Sequence, residues 1–275
     1  PTRPGVADKR RTFHQLHASG CFVIPNPWDV GSALYLQHLG FKALASTSSG
    51  FAWSRGRPDN GVSRDAVLAH LADIVTATDV PVNADFEAGF AHDAAGVAHS
   101  VALALDTGVA GLSIEDSTGD ATTPLYDVAT ATERVGAARR AIDAAGGDAL
   151  LVGRAECYLA GRPDRAETIA RLRAYANAGA DCLYAPGLRS REDIAAVVAA
   201  VAPKPFNLLI GTAMGLSLQD AAALGVRRVS VGGALARSAW GGFMRAARRI
   251  AEDGSFEAFG DAASGQELNA LFGPD

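Results

Sequence analysis

The chain has 275 residues, 48% of them hydrophobic and 20% charged, enough apolar material for one large buried core and too much for a disordered or fibrous protein. Twenty-five Lys and Arg stand against thirty Asp and Glu, a net charge of −5, so the basic excess that binding a phosphate backbone demands is missing and nucleic acid is set aside as a partner. No apolar run approaches the ~20 residues of a membrane span, and the opening PTRPGVADKRRTFHQLH carries no stretch of signal-peptide type. A cytoplasmic protein acting on a small molecule is the expectation. The three cysteines, Cys21, Cys157 and Cys182, are too scattered for a disulfide framework or a metal knuckle and read as small buried hydrophobes.

Short runs rich in Val, Ile, Leu and Ala recur along the chain. They are Cys21 to Ile24, Ala43 to Ser46, Val80 to Ala84, Ala110 to Ile114, Ala149 to Val152, Cys182 to Tyr184, Phe206 to Ile210 and Val229 to Val231. Most are separated by alanine-rich segments with apolar residues at helical spacing: Ala66 to Ala77, Ala94 to Thr107, Ala129 to Ala145, Arg165 to Ala178 and Glu192 to Val201. Joints such as Asn177-Ala178-Gly179-Ala180-Asp181, where a helix ends in Gly ahead of a short buried strand, are those of a parallel sheet. With no GxGxxG after the first run, these βα units predict a closed (β/α)8 TIM-type barrel rather than an open doubly wound sheet. The whole chain, 1–275, is read as one barrel domain, with a further helix at 254–272 that caps the barrel or reaches a neighbouring subunit.

In such a barrel the active site forms at the C-terminal ends of the strands. The second run is followed by Ser46-Thr47-Ser48-Ser49-Gly50, and the connection beyond it carries Asp59. The third is followed by Asp85-Phe86-Glu87, the fourth by Glu115-Asp116, the fifth by Arg154-Ala155-Glu156, and the seventh begins Phe206-Asn207. Several carboxylates would thus converge on one mouth with a single arginine, and clustered carboxylates need a proton or a cation to be tolerated. Hard oxygen donors without a His or Cys cluster point to Mg²⁺ or Mn²⁺. The spacing of Asp85 and Glu87 puts both on one side of an extended segment. Two glycine-rich stretches, Gly211 to Gly215 and Val231 to Ala234, are read as close packing of the rim rather than as a phosphate cradle, and His92 as a loop residue.

These residues resemble a known family. Asp85-Phe86-Glu87-Ala88-Gly89-Phe90 is similar to the D-x-[DE]-x-G-[FY] segment of the isocitrate lyase and phosphoenolpyruvate mutase superfamily, and Gly111 to Asp116 to its G-x-x-I-E-D strand. Pro25 to Asp29, Gly40-Phe41, Asp59, Arg154 with Glu156, and Asn207 match in the same order. The resemblance implies a Mg²⁺-dependent barrel enzyme acting on small 2-oxo or 2-hydroxy carboxylates through an enolate-like intermediate. It implies Asp85 as direct metal ligand, with Glu87 and Glu115 holding the metal's waters and Asp59 in support. Arg154, Asp59 and Glu115 would then be the catalytic residues. Ser46, Thr47, Ser48, Asp85, Arg154 and Asn207 would bind the substrate. It further implies a homo-oligomer, a tetramer or dimer, assembled by swapping a C-terminal helix.

The chain also departs from the family. Where isocitrate and methylisocitrate lyases carry a K-[KR]-C-G-H loop, it reads Ser117-Thr118-Gly119-Asp120-Ala121-Thr122-Thr123-Pro124-Leu125-Tyr126, with neither the cysteine acid nor a lysine for a phosphoryl group. The N-x-T-E segment is reduced to Asn207-Leu208-Leu209-Ile210. A carbon–carbon lyase or decarboxylase for an acid smaller than a tricarboxylate is therefore the leading reading, because decarboxylating an oxaloacetate-like acid needs no dedicated acid on the departing fragment. Tyr126 and Asp120 are the candidate lid acids. A phosphonate or phosphoenolpyruvate-type mutase and a catalytically weak 2-oxo acid binding protein are the alternatives.

Overall fold

A computed structural model describes residues 3–273. Eight parallel strands, β1 (Phe22–Ile24), β2 (Leu44–Ala45), β3 (Val82–Asp85), β4 (Gly111–Glu115), β5 (Leu150–Arg154), β6 (Cys182–Tyr184), β7 (Phe206–Leu209) and β8 (Arg228–Ser230), pair in the order β1-β8-β7-β6-β5-β4-β3-β2. Helix α1 (Val6–Ala18) precedes the sheet. The crossovers hold α2 (Val30–His38), α3 (Ser48–Ser54), α4 (Arg64–Ala77), α5 (Ala94–Asp106), α6 (Val128–Ala144), α7 (Arg165–Asn177), α8 (Arg191–Val201) and α9 (Leu218–Ala223). After β8 come α10 (Ala234–Asp253), a 3₁₀ turn (Glu257–Asp261) and α11 (Gly265–Phe272). This is the (β/α)8 barrel with a C-terminal helical extension that the alternation of apolar runs and helical segments predicts.

The seam between β1 and β2 is closed by few bonds. Ala45 N–H donates to the Pro25 carbonyl at 3.0 Å. Asn26 completes the join: its Nδ2 donates to Ser46 O at 2.9 Å, and its Oδ1 accepts from the backbone N–H groups of Val231 and Gly232, each at 2.9 Å. One buried side chain thus ties β1, β2 and β8 where the ladder is shortest.

The other end of the barrel is plugged by α1. Phe13, fully buried, packs with Ile24, Ala43, Ala45, Ala110 and Leu150. Gly111 makes room for it, since a Cβ there would lie 2.9 Å from the Phe13 ring. His17 on the same helix meets Arg228 of β8, its Nε2 accepting from the guanidinium at 3.3 Å. Burial, reinforced by the Arg228 charge, lowers the His17 pKa to about 3, so the imidazole is neutral.

Helices α2 to α9 begin on side-chain caps. Asp29, Thr47, Ser63, Asp93, Asp127, Asp164, Ser190 and Ser217 each accept from the backbone N–H of the third helical residue. At the other ends, Gly179 sits at φ +105° after α7 with its α-carbon against Arg139, a conformation and a spacing that a side chain would spoil.

Strand ends differ from the apolar runs in one way that matters. β3, β4 and β5 run on through Asp85, Glu115 and Arg154, which keep their places in the ladder, Asp85 opposite Ser113 and Glu115 opposite Arg154. The polar groups at the mouth are thereby carried by the sheet itself. Cys157 and Cys182 are buried as expected, whereas Cys21 is only half-buried, because it lies ahead of β1 at the barrel's edge.

Helix α10 departs from the barrel. Of its twenty residues only Ala236 is buried, against Gly50 of α3, while Trp240, Phe243, Met244 and Ile250 are exposed. The tail returns so that Phe272 of α11 touches Gly31 of α2. Between them lies an apolar groove of about 1050 Å³ that includes Val23, Trp28, Tyr35, Leu39 and Val231. No helix among the described residues is long and apolar enough to cross a membrane.

Candidate active site

The mouth is organised around Arg154 at the end of β5. Its NH1 lies 3.1 Å from Asp85 Oδ1 and 3.2 Å from Glu115 Oε2, and its Nε donates to Glu156 Oε1 at 2.5 Å. The Tyr184 ring at the end of β6 lies beneath the guanidinium, 5.1 Å from centroid to Cζ. Burial opposes the arginine's charge, but Glu115, Glu156, Tyr184 and Asp85 outweigh it and hold its pKa well above the ordinary value. The cation is permanent and fixed in plane.

The acids around it outnumber it. Burial raises Glu115 well above its usual range, with Arg154 opposing and Glu156, Asp85 and Glu87 adding to the rise. Glu156 is raised by burial against the same arginine. Glu87 is pushed up to about 8 by burial and then by Asp85 and Asp59. Asp59, on the connection to α4, is exposed as a residue, yet partial burial of its carboxyl and the Asp85 charge raise it too. One guanidinium cannot neutralise this set, which burial first and mutual repulsion second hold above the usual carboxylate range.

Asp85 is held from two sides. Its backbone N–H donates to Ser46 Oγ at 2.9 Å, and its Oδ2 accepts from Ser48 N–H at the start of α3, also at 2.9 Å. Glu87 does not share an extended segment with it: β3 ends at Asp85, and Glu87 at φ +50° begins a tight turn with Gly89 at +78° and Phe90 at +53°. The Gly89 N–H closes that turn on Phe86 O at 2.9 Å. The turn is held from behind by Arg134 of α6, 1% exposed, which donates to the carbonyls of Ala88, Ala91 and His92.

Three residues read as substrate groups have their polar atoms committed elsewhere. Ser46 Oγ is taken by the Asp85 N–H. Thr47, 2% exposed, caps α3 and shares its hydroxyl with Ser49. Asn207 is wholly buried in the barrel, donating to Ser230 Oγ at 2.9 Å and accepting from Arg228 Nε at 2.8 Å. Replacing Asn207 by Leu is expected to cost about 2–4 kcal/mol, because Arg228 and Ser230 lose their partner, with substrate affinity less affected than stability; urea denaturation beside a binding titration checks this.

The loop proposed to hold a lid acid is a small self-bonded hairpin, with Ser117 bridged to Leu125. Asp120 spends its carboxylate on Thr122 and Thr123 at the tip, and those hydrogen bonds lower its pKa. Tyr126 lines the mouth, its ring 4.2 Å above the Arg134 guanidinium.

Beneath the site, Asp116 is a buried strut. It accepts from Glu156 N–H at 2.8 Å, Arg171 NH1 at 3.0 Å and Tyr175 OH at 2.5 Å. Tyr184 and Arg134 were not singled out from the sequence, and Asn26 only as part of the segment Pro25 to Asp29. Tyr184 could have been, as the last residue of its apolar run, whereas nothing local marks Arg134.

The donor set fits a hard divalent cation of a particular kind. Among the described residues no three acids close into a ready-made cluster of direct ligands, since Arg154 draws Asp85 and Glu115 to itself. One direct carboxylate with further acids reached through water is the mode that suits Mg²⁺, which gives up its hydration reluctantly.

Fold and mouth together define a barrel with an acid-rich, single-arginine site at its C-terminal face. The sequence profile of the phosphoenolpyruvate phosphomutase family matches residues 13–251, and the chain belongs to that family, within the isocitrate lyase and phosphoenolpyruvate mutase superfamily. An uncharacterized protein of Mycobacterium tuberculosis is 34% identical over 224 residues, 80% of this chain and 81% of the relative. A 2-methylisocitrate lyase of Escherichia coli is 33% identical over 158 residues, 55% of this chain and 53% of its own. A solved structure described as a candidate lyase or mutase of Burkholderia cenocepacia J2315 superposes with a TM-score of 0.94 at 49% identity, covering 98% of this chain and 97% of that one. A phosphonopyruvate hydrolase solved with oxalate and Mg²⁺ gives 0.85 at 26% identity, covering 96% and 94%.

Proposed function

We propose that this chain is a Mg²⁺- or Mn²⁺-dependent carbon–carbon lyase or decarboxylase acting on a small 2-oxo or 2-hydroxy carboxylic acid through an enolate-like intermediate. The observation that carries the reading is the contact of three carboxylates with the one guanidinium of Arg154, in a mouth whose remaining acids have no cation. A divalent ion held by Asp85, with Glu87, Glu115 and Asp59 supporting its waters, would stabilise negative charge on the substrate's oxygens as a Lewis acid. Arg154 presents a protonated fork to the substrate carboxylate or enolate oxygen. Glu156 and Tyr184 keep that fork in plane, and Ser46 and Ser48 keep Asp85 aimed. The loop from Ser117 to Tyr126 carries no thiol and no lysine, which favours bond cleavage that needs no loop acid over phosphoryl transfer. A relative named 2-methylisocitrate lyase and a neighbour binding oxalate with Mg²⁺ support the same chemistry.

The test is incubation with Mg²⁺ and a panel of 2-oxo and 2-hydroxy acids, following pyruvate, glyoxylate and CO₂. One substrate is expected to turn over, with Asp85→Ala lowering kcat/KM by roughly 10³-fold. Metal-dependent binding of these acids without any product would establish a binding protein instead.

The same reading includes self-association. The exposed apolar face of α10 and the uncovered groove beside α2 are complementary in character, and a second copy supplies both halves. Sedimentation velocity is expected to show a dimer or tetramer that Trp240→Glu with Phe243→Glu converts to monomer.

A further inference from the structure

The segment that carries Glu87 is an unfavourable piece of backbone. β3 ends at Asp85, and Glu87 at φ +50° and Phe90 at φ +53° are two of the three described residues other than glycine at positive φ. Such residues populate that region sparsely, so the turn persists only where its surroundings over-determine it. The backbone supplies little: the Gly89 N–H donates to Phe86 O, and the Glu87 carbonyl accepts from Glu115 N–H at 3.1 Å. Among the described residues no backbone N–H serves the carbonyls of Ala88, Ala91 and His92. All three are served by one side chain. Arg134 of α6 donates through NH2 to Ala88 and, at 2.9 Å, to Ala91, and through NH1 to His92 at 2.7 Å. Its guanidinium is buried, its Nε has no partner, no carboxylate is among its hydrogen-bond partners, and the Tyr126 ring lies 4.2 Å away. A buried cation without an acid is costly, and an apolar side chain of similar length would fill the same space without that cost. What it would not supply is the three donors.

We propose that Arg134 is a positioning residue for the divalent cation: by holding the turn from Phe86 to His92 in its left-handed course it keeps the Glu87 side chain at the mouth, so that cation affinity depends on a residue outside the mouth cavity. The inference rests on the metal-dependent reading above, which gives Glu87 a place around the ion's waters. Glu87 and Glu115 line the mouth cavity of about 260 Å³, and Arg134 does not. It reaches that cavity only through the backbone of the turn and the Tyr126 ring. Freed from Arg134, Glu87 exchanges its left-handed φ for the commoner negative values, which re-aims the side chain. Loss of a group that orients the residues around a metal typically weakens the site by about 10- to 100-fold.

Calorimetric titration of the full chain with Mg²⁺ in the presence of oxalate tests it, as a cycle of Glu87→Ala, Arg134→Met and the two combined. Each single variant is expected to weaken Mg²⁺ binding about 10-fold, while the double variant binds within about 2-fold of Glu87→Ala alone, because Arg134 then has no side chain left to position. Amide hydrogen exchange of the metal-free proteins separates this from general loosening. In Arg134→Met the Gly89 N–H is expected to accelerate at least ~10-fold more than the Leu183 N–H, which is bonded to Pro205 O between β6 and β7. Arg134→Lys, whose ammonium serves the carbonyls from a single point, is expected to fall between the parent and Arg134→Met, and it carries the same cycle if the methionine variant does not fold. Parent-like Mg²⁺ affinity in either single variant, losses that add in the double variant, or equal acceleration of the two amides overturns the positioning role and leaves the metal-dependent reading standing. An unmodified protein that binds no Mg²⁺ with oxalate removes both.

Discussion

Replacing Arg154 by Met is expected to lower kcat/KM on the order of 10³-fold or more and to destabilise the fold by about 3–5 kcal/mol. Both effects have one cause. Asp85, Glu115 and Glu156 meet at this guanidinium at 3.1, 3.2 and 2.5 Å, and without it three partly buried acids face one another. They respond by taking up protons, and the site loses its substrate partner together with the ionised carboxylate that holds the metal. Arg154→Lys separates geometry from charge. An ammonium keeps the charge but cannot span Glu156 on one edge and Asp85 with Glu115 on the other, so activity is expected to remain at least ~10²-fold down while part of the stability returns. Steady-state kinetics and urea denaturation of the two variants check this. Full activity in the lysine variant would mean that Arg154 acts as a point charge alone.

The fold was legible because two periodicities alternate. Short β-branched and Leu-rich runs separated by alanine-rich helical spacing leave little besides a parallel α/β fold, and the strand positions agree with the apolar runs to within one or two residues. The disagreements fall where a polar residue continues a strand. Nothing in the local pattern says that Asp85, Glu115 and Arg154 are still in the ladder, because ladder bonds are made by backbone and ignore side-chain polarity. Helices α1 and α10 were not anticipated: α1 faces the core chiefly through Phe13 and His17, and α10 turns its apolar face, with Trp240, Phe243, Met244 and Ile250, away from the barrel core.

Reading the acids was harder than finding them. Asp29, Asp93, Asp127 and Asp164 also follow or lie near strand ends, and each caps a helix through the N–H three residues on. Asp85, Glu87 and Glu115 do not stand at a helix start of their own, and that difference is local enough to be seen in sequence once the helix starts are known. The serine, threonine and asparagine side chains show a different difficulty. Ser46, Thr47 and Asn207 stand in register with the mouth, yet their polar atoms are committed to Asp85, the start of α3 and Arg228. Long-range partners of that kind leave no trace in spacing. The same holds for Asn26, whose three bonds join segments more than two hundred residues apart in sequence at one end and twenty at the other.

Asp116→Ala is expected to cost about 3–5 kcal/mol, as much as the loss of Arg154, although Asp116 meets the mouth only through the backbone of Glu156. Its carboxylate is 2% exposed as a residue and joins the backbone of Glu156 to Arg171 and Tyr175 on α7. Alanine leaves the Glu156 N–H and the Tyr175 hydroxyl unpaired in the core, and leaves Arg171, whose side chain is 4% exposed, with Glu167 as its remaining acid partner. Glu156 then loses its anchor, and through Glu156 so does Arg154. Activity is expected to fall in proportion to the disorder this introduces, with KM rising more than kcat falls. Asp116→Asn should recover part of the stability, because one amide oxygen still accepts from the Glu156 N–H while the NH₂ cannot accept from Arg171 or Tyr175. Urea denaturation of both variants beside the unmodified protein gives the result directly. A variant as stable as the parent but inactive would place Asp116 in the reacting site, and the neighbouring acids Glu115 and Asp116 would no longer divide into one group for the substrate and one for the scaffold.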